Sequence, residues 1–517
     1  MFVGRVKMMM NNADIIPMGH LAGEQGKDVF SRREMILSFA AVGLGYGFIK
    51  CFAAPFLISG RMGSGAAAFL IFTVIFGFCF KNGRKITPLK ALRTVLCILF
   101  AANIFISANL LIQTLCFVFS AMIIVYDSLA DTDGRFEKIR RLFPADMFAA
   151  ALRPFDEIGS CPKAIKSAAE KGSAGKTAAN ALLGLAIALP STIAVGVLLM
   201  SADNGFAEIL SSFADGGLRS VIIFAVQLVI GLPVGSYLFS MFRRHKNEAA
   251  HSDDNWRHMA GSLRFVPASA AAFSAVPLCV MYVIFFFSQA SYFLSAFVSR
   301  LPADTESYSA YARQGFFQLC IVSVIDLAVI IGINLFSKLN EEGKKSKFLK
   351  AMTVTLCVFT VLLIITAISK MGMYISVYGL TRLRFYTSWF MLLLGVLFIG
   401  IIISVIWEKF NLPKFAVTAF TVMFAALSFS NADRLIAEYN IGRYLDGSLS
   451  SVDITMFSEL SADALPAAEK LYGHISSEEE TALEHIVQRK LYETDNADMR
   501  SITLSEILAK KYQNEDQ

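Results

Sequence analysis

Eleven stretches of mostly apolar residues, each near bilayer length and bounded by charge, dominate the sequence and leave it one kind of solvent. They run approximately over 35–59, 63–80, 91–107, 110–127, 178–201, 219–242, 265–288, 315–337, 350–370, 385–407 and 414–430. A hydrocarbon core about 30 Å thick takes roughly 20 apolar residues of helix. Composition agrees, since 17% of the 517 residues are charged and 55% apolar, where a water-soluble domain carries about 25% charged residues. Backbone amides inside lipid must be satisfied within the segment, so each run is expected to be a helix. The expectation is an all-α fold, a polytopic transmembrane helix bundle of about eleven spans.

The third and fourth runs share one apolar stretch, divided at Ser107-Ala108-Asn109, where small and polar residues allow a tight hairpin. Charge supports the division, because Lys and Arg accumulate in short cytoplasmic loops. With the N-terminus inside, the basic segments before residue 35 and in 81–90, 128–177, 243–264 and 338–350 fall on one side. The opposite loops are poor in positive charge. Three parts follow: a cytoplasmic segment 1–34, the bundle 35–430 and an extracytoplasmic segment 431–517. The last carries 17 acidic and 8 basic residues, net −9, so the rest of the chain holds +15 of the overall +6. That basicity suits anionic lipid headgroups, with no nucleic acid implied.

Several chemistries lack their residues. Seven of the eight cysteines lie in apolar runs, only Cys161 lies in a polar stretch, and no CxxC pair exists, which disfavours a disulfide framework or thiolate metal site. Residues 170–177 end in Gly175-Lys176-Thr177, but Glu170 stands where a phosphate-binding loop needs glycine, and no strand precedes it. His245, His251 and His258 share one loop at spacings that fit no single helix face. No cofactor is expected, and an enzyme is the weakest functional class. Residues 1–34 are too long and too charged for the start of a signal peptide.

The 128–177 connection contains Phe143, Met147, Phe148, Ala151, Leu152 and Phe155 at three- and four-residue spacing beside Arg140, Arg141 and Arg153. Such a helix either lies in the headgroup plane or packs on the inner face of the bundle. In the C-terminal segment, Asp463 is expected to cap a turn containing Pro466. The run Ser476-Ser477-Glu478-Glu479-Glu480 offers a capping box ahead of Leu483, Ile486, Val487 and Leu491, giving a small helical outer domain.

An ionisable group at mid-bilayer costs at least about 2.5 kcal/mol on insertion scales, so each one needs a partner, a cavity or a purpose. Asp326 sits near the middle of span eight, and Lys50 lies in span one about two-thirds of the way to the outer face. The two are candidates for an ion pair or a coupling site. A second polar concentration marks the outer span ends: Asp203, Tyr311, Arg313, Tyr378, Arg382 and Arg384. Arginines with aromatic neighbours there can hold a phosphate or carboxylate, or pair with Asp203 or the acidic C-terminal domain within an interfacial belt.

Four ordered motifs in these segments carry a likeness. They are Ser201-Ala202-Asp203; Tyr311 to Leu319; Tyr378-Gly379-Leu380-Thr381 with Arg384; and Asn431 to Asn440 followed by Leu460 to Pro466. Together they resemble the uncharacterised bacterial multispanning family termed domain of unknown function four-one-seven-three, related to four-one-five-three. The resemblance implies a bacterial cytoplasmic-membrane protein and brings no reaction, ligand or catalytic residue with it. Two readings stand side by side. In one the chain is a transporter or handler of a small or lipid-linked anionic substrate, with Lys50 and Asp326 inside and the arginines at the mouth; this needs a watery cavity reaching Asp326. In the other it is a non-catalytic sensor or scaffold that binds protein partners through its acidic domain and cytoplasmic loops, with Lys50 and Asp326 paired in a closed bundle.

Overall fold

The computed structural model describes residues 30–80, 86–132, 139, 143–170, parts of 184–205, 219–243, 264–288, 308–340 and 344–515. Among the described residues, extended apolar sequence becomes helix, and the only β contact is an isolated bridge between Val266 and Ser337. Helix α1 (Arg32–Gly47) passes through a π turn (Phe48–Ala53) into α2 (Ala54–Ser59). Then come α3 (Ser64–Phe80), α4 (Pro88–Ile106), α5 (Leu110–Thr132), α6 (Phe143–Leu152), α7 (Ser160–Glu170) and α8 (Arg219–Arg243). Helices α9 (Ala268–Phe273), α10 (Val276–Ser288), α11 (Tyr308–Phe336), α12 (Lys347–Tyr378), α13 (Arg382–Ile406) and α14 (Leu412–Phe429) follow. The C-terminal part holds α15 (Ala432–Leu445), α16 (Met456–Glu459), α17 (Leu465–Ala468), α18 (Ser477–Asp495) and α19 (Leu504–Glu515).

Among the described residues, nine helical segments are long and apolar enough to cross a bilayer, which makes this a membrane protein. Helix α3, expected as a span, is a shorter apolar helix of 17 residues. The expected span at 178–201 lies largely outside the described residues, as do the histidine loop and residues 1–29. The divided stretch is a hairpin: α4 and α5 are separate helices joined by Ser107–Asn109. The Gln113 side chain holds the turn, its Nε2 lying 2.8–3.0 Å from the carbonyls of Ser107, Ile104 and Met62. At the far end of the hairpin, Arg93 pairs with Asp127 at 2.5 Å and Lys90 with Asp131.

Apolar side chains gather into three main cores. The first joins α1, α3, α4, α5, α7 and α8, with Phe424 and Leu427 of α14. The second joins α10 to α13, and the third lies in the C-terminal part around Ile436, Phe457, Leu471 and Leu483. Lipid gives helices no hydrophobic reason to associate, so close packing must come from small residues. The α1–α8 contact shows this: a Cβ on Gly45 would strike the Gly231 carbonyl, and one on Gly235 would strike that of Ala41. A stacked pair, Phe100 and Phe424, ties α14 to α4 with ring centroids 5.2 Å apart.

The loop helix α6 buries Met147 and Ala150, with Ala150 packed against Leu129, and leaves Phe148 and Leu152 exposed, as is Phe155 in the 3₁₀ turn (Arg153–Phe155) that follows. One face therefore rests on the bundle and the other is free for an apolar surroundings. Helix α7 is drawn into the first core by Cys161 and Ala164, so Cys161 is buried despite its polar sequence context.

Candidate functional site

Three of the motif segments converge at one end of the helices, where the C-terminal part meets the tips of α4, α5, α12 and α13. Helix α12 runs to Tyr378, eight residues beyond the expected end, so Lys370, the last residue of the expected span, takes a buried position within the helix. The chain turns at Gly379, whose φ of +73° suits glycine. A Cβ there would also meet the Asn440 Oδ1 at 2.6 Å. Asn440 uses that space: its Oδ1 accepts from the Leu380 N–H at 2.6 Å and its Nδ2 donates to the Leu380 carbonyl at 2.7 Å.

Arg382 then meets Asp433 of α15 through two parallel bonds, Nε to Oδ1 at 2.8 Å and Nη2 to Oδ2. This forked geometry is the strong form of a charged pair. Asp433 also accepts from the Ser461 N–H at 2.9 Å. The Ser461 hydroxyl donates to Asp463 at 2.9 Å, so one serine joins the two carboxyl groups. Asp463 reaches the α4–α5 hairpin, accepting from the Ser107 hydroxyl at 2.8 Å and the Ala108 N–H at 3.1 Å. Beside it, Asn109 Nδ2 donates to the Tyr386 hydroxyl at 2.9 Å. Spans from both membrane cores and the third core thus share one buried polar network.

The two acids titrate in opposite directions. Burial pushes Asp433 up, but the Arg382 guanidinium and the Ser461 N–H overcome it, holding the carboxyl below its ordinary value. Burial raises Asp463, and the hydroxyls of Ser505, Ser107 and Ser461 offset it only in part, with Asp433 adding repulsion. Asp463 was expected to cap a turn; instead it lies inside a 3₁₀ turn (Ala462–Ala464) capped by Ser461, because its side chain is taken by the hairpin.

The remaining sequence candidates are dispersed. Arg384 places its guanidinium 4.2 Å from the Tyr374 ring centroid and donates to the carbonyls of Tyr378, at 3.0 Å, and Gly379. Tyr378 itself is half exposed and packs edgewise on Tyr374. Asp203 is exposed and accepts from the Gly205 N–H at 2.8 Å. Helix α11 carries Tyr311 and Arg313, whose side chains lie outside the described residues. Lys50 and Asp326 are not partners. Lys50 is exposed on the π turn, its Nζ 5.5 Å from the Tyr46 ring, while Asp326 is wholly buried in the second core among hydroxyl groups.

Asp433, Asn440, Ser461 and Asp463 lie within the motif segments, and their place in the site emerges only from the fold. The available signal was carboxylates and amides recurring within segments otherwise suited to burial.

Residues 94–471 match the family described as a domain of unknown function (DUF4153). That is most of the chain, and the protein belongs to this family, the second of the two related families its motifs resemble. No curated protein and no solved structure matches the chain.

Proposed function

We propose that this DUF4153 protein is a non-catalytic membrane scaffold that couples an outer helical head to its spans, sensing partners at the head. The observation that carries the reading is the Arg382–Asp433–Ser461–Asp463–Ser107 network. A buried, hydrogen-bonded ionic link between head and spans resists displacement, because breaking one partner strands the other charge. Two of the three arginines suited to a substrate mouth are committed: Arg382 to Asp433, and Arg384 to two carbonyls and a ring. Asp326 is sealed from solvent, which disfavours a watery path to it.

In this reading the head, residues 431–517, faces outward from a bacterial cytoplasmic membrane. The basic segments at the opposite end support that orientation. The exposed face of α6 and the turn after it, Phe148, Leu152 and Phe155, rests in the inner headgroup region, and the acidic surface of the head meets basic protein partners or cations.

The test is hydrogen exchange on the purified chain in a bilayer, comparing the native protein with Asp433→Asn. Scaffold coupling expects faster exchange both in α15–α18 and in α6–α7 at the far end of the bundle. Faster exchange confined to the head would overturn coupling, and flux of an anionic solute in proteoliposomes would restore the transport reading.

A further inference from the structure

A second polar group is buried where three helices of the second core meet, and counting its protons says what it holds. Asp326 of α11 is 0% exposed, as is Thr360 of α12, and Tyr282 of α10 is nearly so. Three oxygen–oxygen contacts link them in a line. The Tyr282 hydroxyl lies 2.5 Å from Asp326 Oδ1, the Thr360 hydroxyl lies 2.7 Å from Asp326 Oδ2, and the Thr360 hydroxyl lies 2.9 Å from the Leu356 carbonyl. Each hydroxyl has one proton, and a carbonyl has none. With an ionised carboxylate, two protons are available for three contacts, and one of the two contacts of the Thr360 hydroxyl has no proton in it. With a carboxylic acid the count closes: Tyr282 donates to Oδ1, Oδ2–H donates to Thr360, and Thr360 donates to Leu356.

The surroundings agree with a neutral group. Among the described residues, the polar or titratable groups facing Asp326 from the packed elements are the Cys279 thiol on α10, the Cys357 thiol on α12, and the two hydroxyls, none of them a cation. Ser323, one turn away, spends its proton on the Leu319 carbonyl at 2.8 Å. An ionised carboxylate in such a place carries the full cost of burial with no compensating charge. A metal ion between the oxygens would hold them farther apart than 2.5 and 2.7 Å.

We infer that the α10–α11–α12 seam is an intramembrane proton-binding site, with Asp326 as a carboxylic acid clasped by Tyr282 and Thr360. Its ligand is the proton, and its release step is simple. When the seam opens to water, the Oδ2–H bond breaks, the electron pair stays on the carboxylate, and the proton passes to a water molecule. The site is independent of the head network and would stand if that reading fell.

Infrared spectroscopy on the purified full chain at neutral pH, in sodium-free buffer, tests it. The native-minus-Asp326→Asn difference should contain a free-acid carbonyl stretch. Thr360→Val, which removes the acceptor of the acid proton, should move that band to higher frequency, and Thr360→Ser should leave it in place. If Asp326→Asn does not fold, the shifts in Thr360→Val and in Tyr282→Phe decide the matter. A carboxylate stretch in the difference spectrum, or an acid band that neither variant moves, would overturn the inference. Loss of the acid band on adding sodium or lithium at constant pH would reassign the seam as a monovalent-cation site.

Discussion

Arg500 Nη1 donates to the main-chain carbonyl of Lys50 at 2.7 Å, linking positions 450 residues apart. The reason lies in the π turn of the first span. There the Ala54 N–H bonds five residues back, to the Ile49 carbonyl. The next amide in that pattern would serve Lys50, but residue 55 is proline and has none. Arg500 fills the gap from the head and is itself held by Asp498 in a forked pair.

Arg500→Ala should therefore destabilise the docked head by about 1–3 kcal/mol, the loss of a hydrogen bond from a charged donor. Lys50→Ala should change stability by less than about 0.5 kcal/mol, because the bond uses the backbone and surface substitutions have small effects. Thermal denaturation with limited proteolysis of 476–515 reads both. Equal effects for the two variants would contradict this account.

The α1–α8 contact has no room for side chains. Gly231→Leu should lower stability by roughly 1–3 kcal/mol or prevent folding, as overpacking does, whereas Gly43→Leu, which has open space, should be tolerated. Melting temperatures of the two in one detergent provide the comparison.

Asp433 and Asp463 should give opposite pH signatures. The Asp433 carboxyl is held below its unfolded value, so its stabilisation is present above the unfolded value and is lost as pH falls through the folded one. Asp433→Asn should cost on the order of 3 kcal/mol at neutral pH by stranding Arg382 and should flatten the acid limb. Asp463 is raised, so the folded state binds its proton more tightly and stability declines as pH rises from the unfolded to the folded value. Asp463→Asn should remove that decline. Denaturation midpoints from acid to neutral pH test both signs.

Orientation is open to direct measurement in a cysteine-free background. Tyr492→Cys, on an exposed site of the head, should react with an impermeant maleimide in intact cells, and Phe148→Cys should react only after permeabilisation. The reverse pattern would invert the proposed topology.

Apolar run length told the helices apart well, because a bilayer imposes both length and backbone satisfaction on any span. The hairpin at Ser107–Asn109 was legible from the polar residues that now bind Asp463 and Tyr386. Boundaries near Lys370 were less so, since a buried amine reads in sequence as a loop charge. The site was half legible. Arg382 and Arg384 stood out as charges near a span end, but their partners lie 51 residues on, or in the backbone, and one sequence carries no signal for such pairings. Tyr282 and Thr360 were hidden because each sits singly in an apolar run, 44 and 34 residues from Asp326.

The amides that begin α3 are finished by the head. The Gly65 N–H bonds the Arg500 carbonyl at 2.8 Å, the Ser64 N–H bonds that of Ile502 at 3.2 Å, and the Ser64 hydroxyl donates to the Met499 carbonyl at 2.7 Å. A helix start normally finds its acceptors in neighbouring residues. Here they lie more than 430 residues later in the chain, so the start of α3 stays unfinished until that part of the head has been made. A chain stopped short of residue 499 would leave the Ser64 and Gly65 amides without these acceptors.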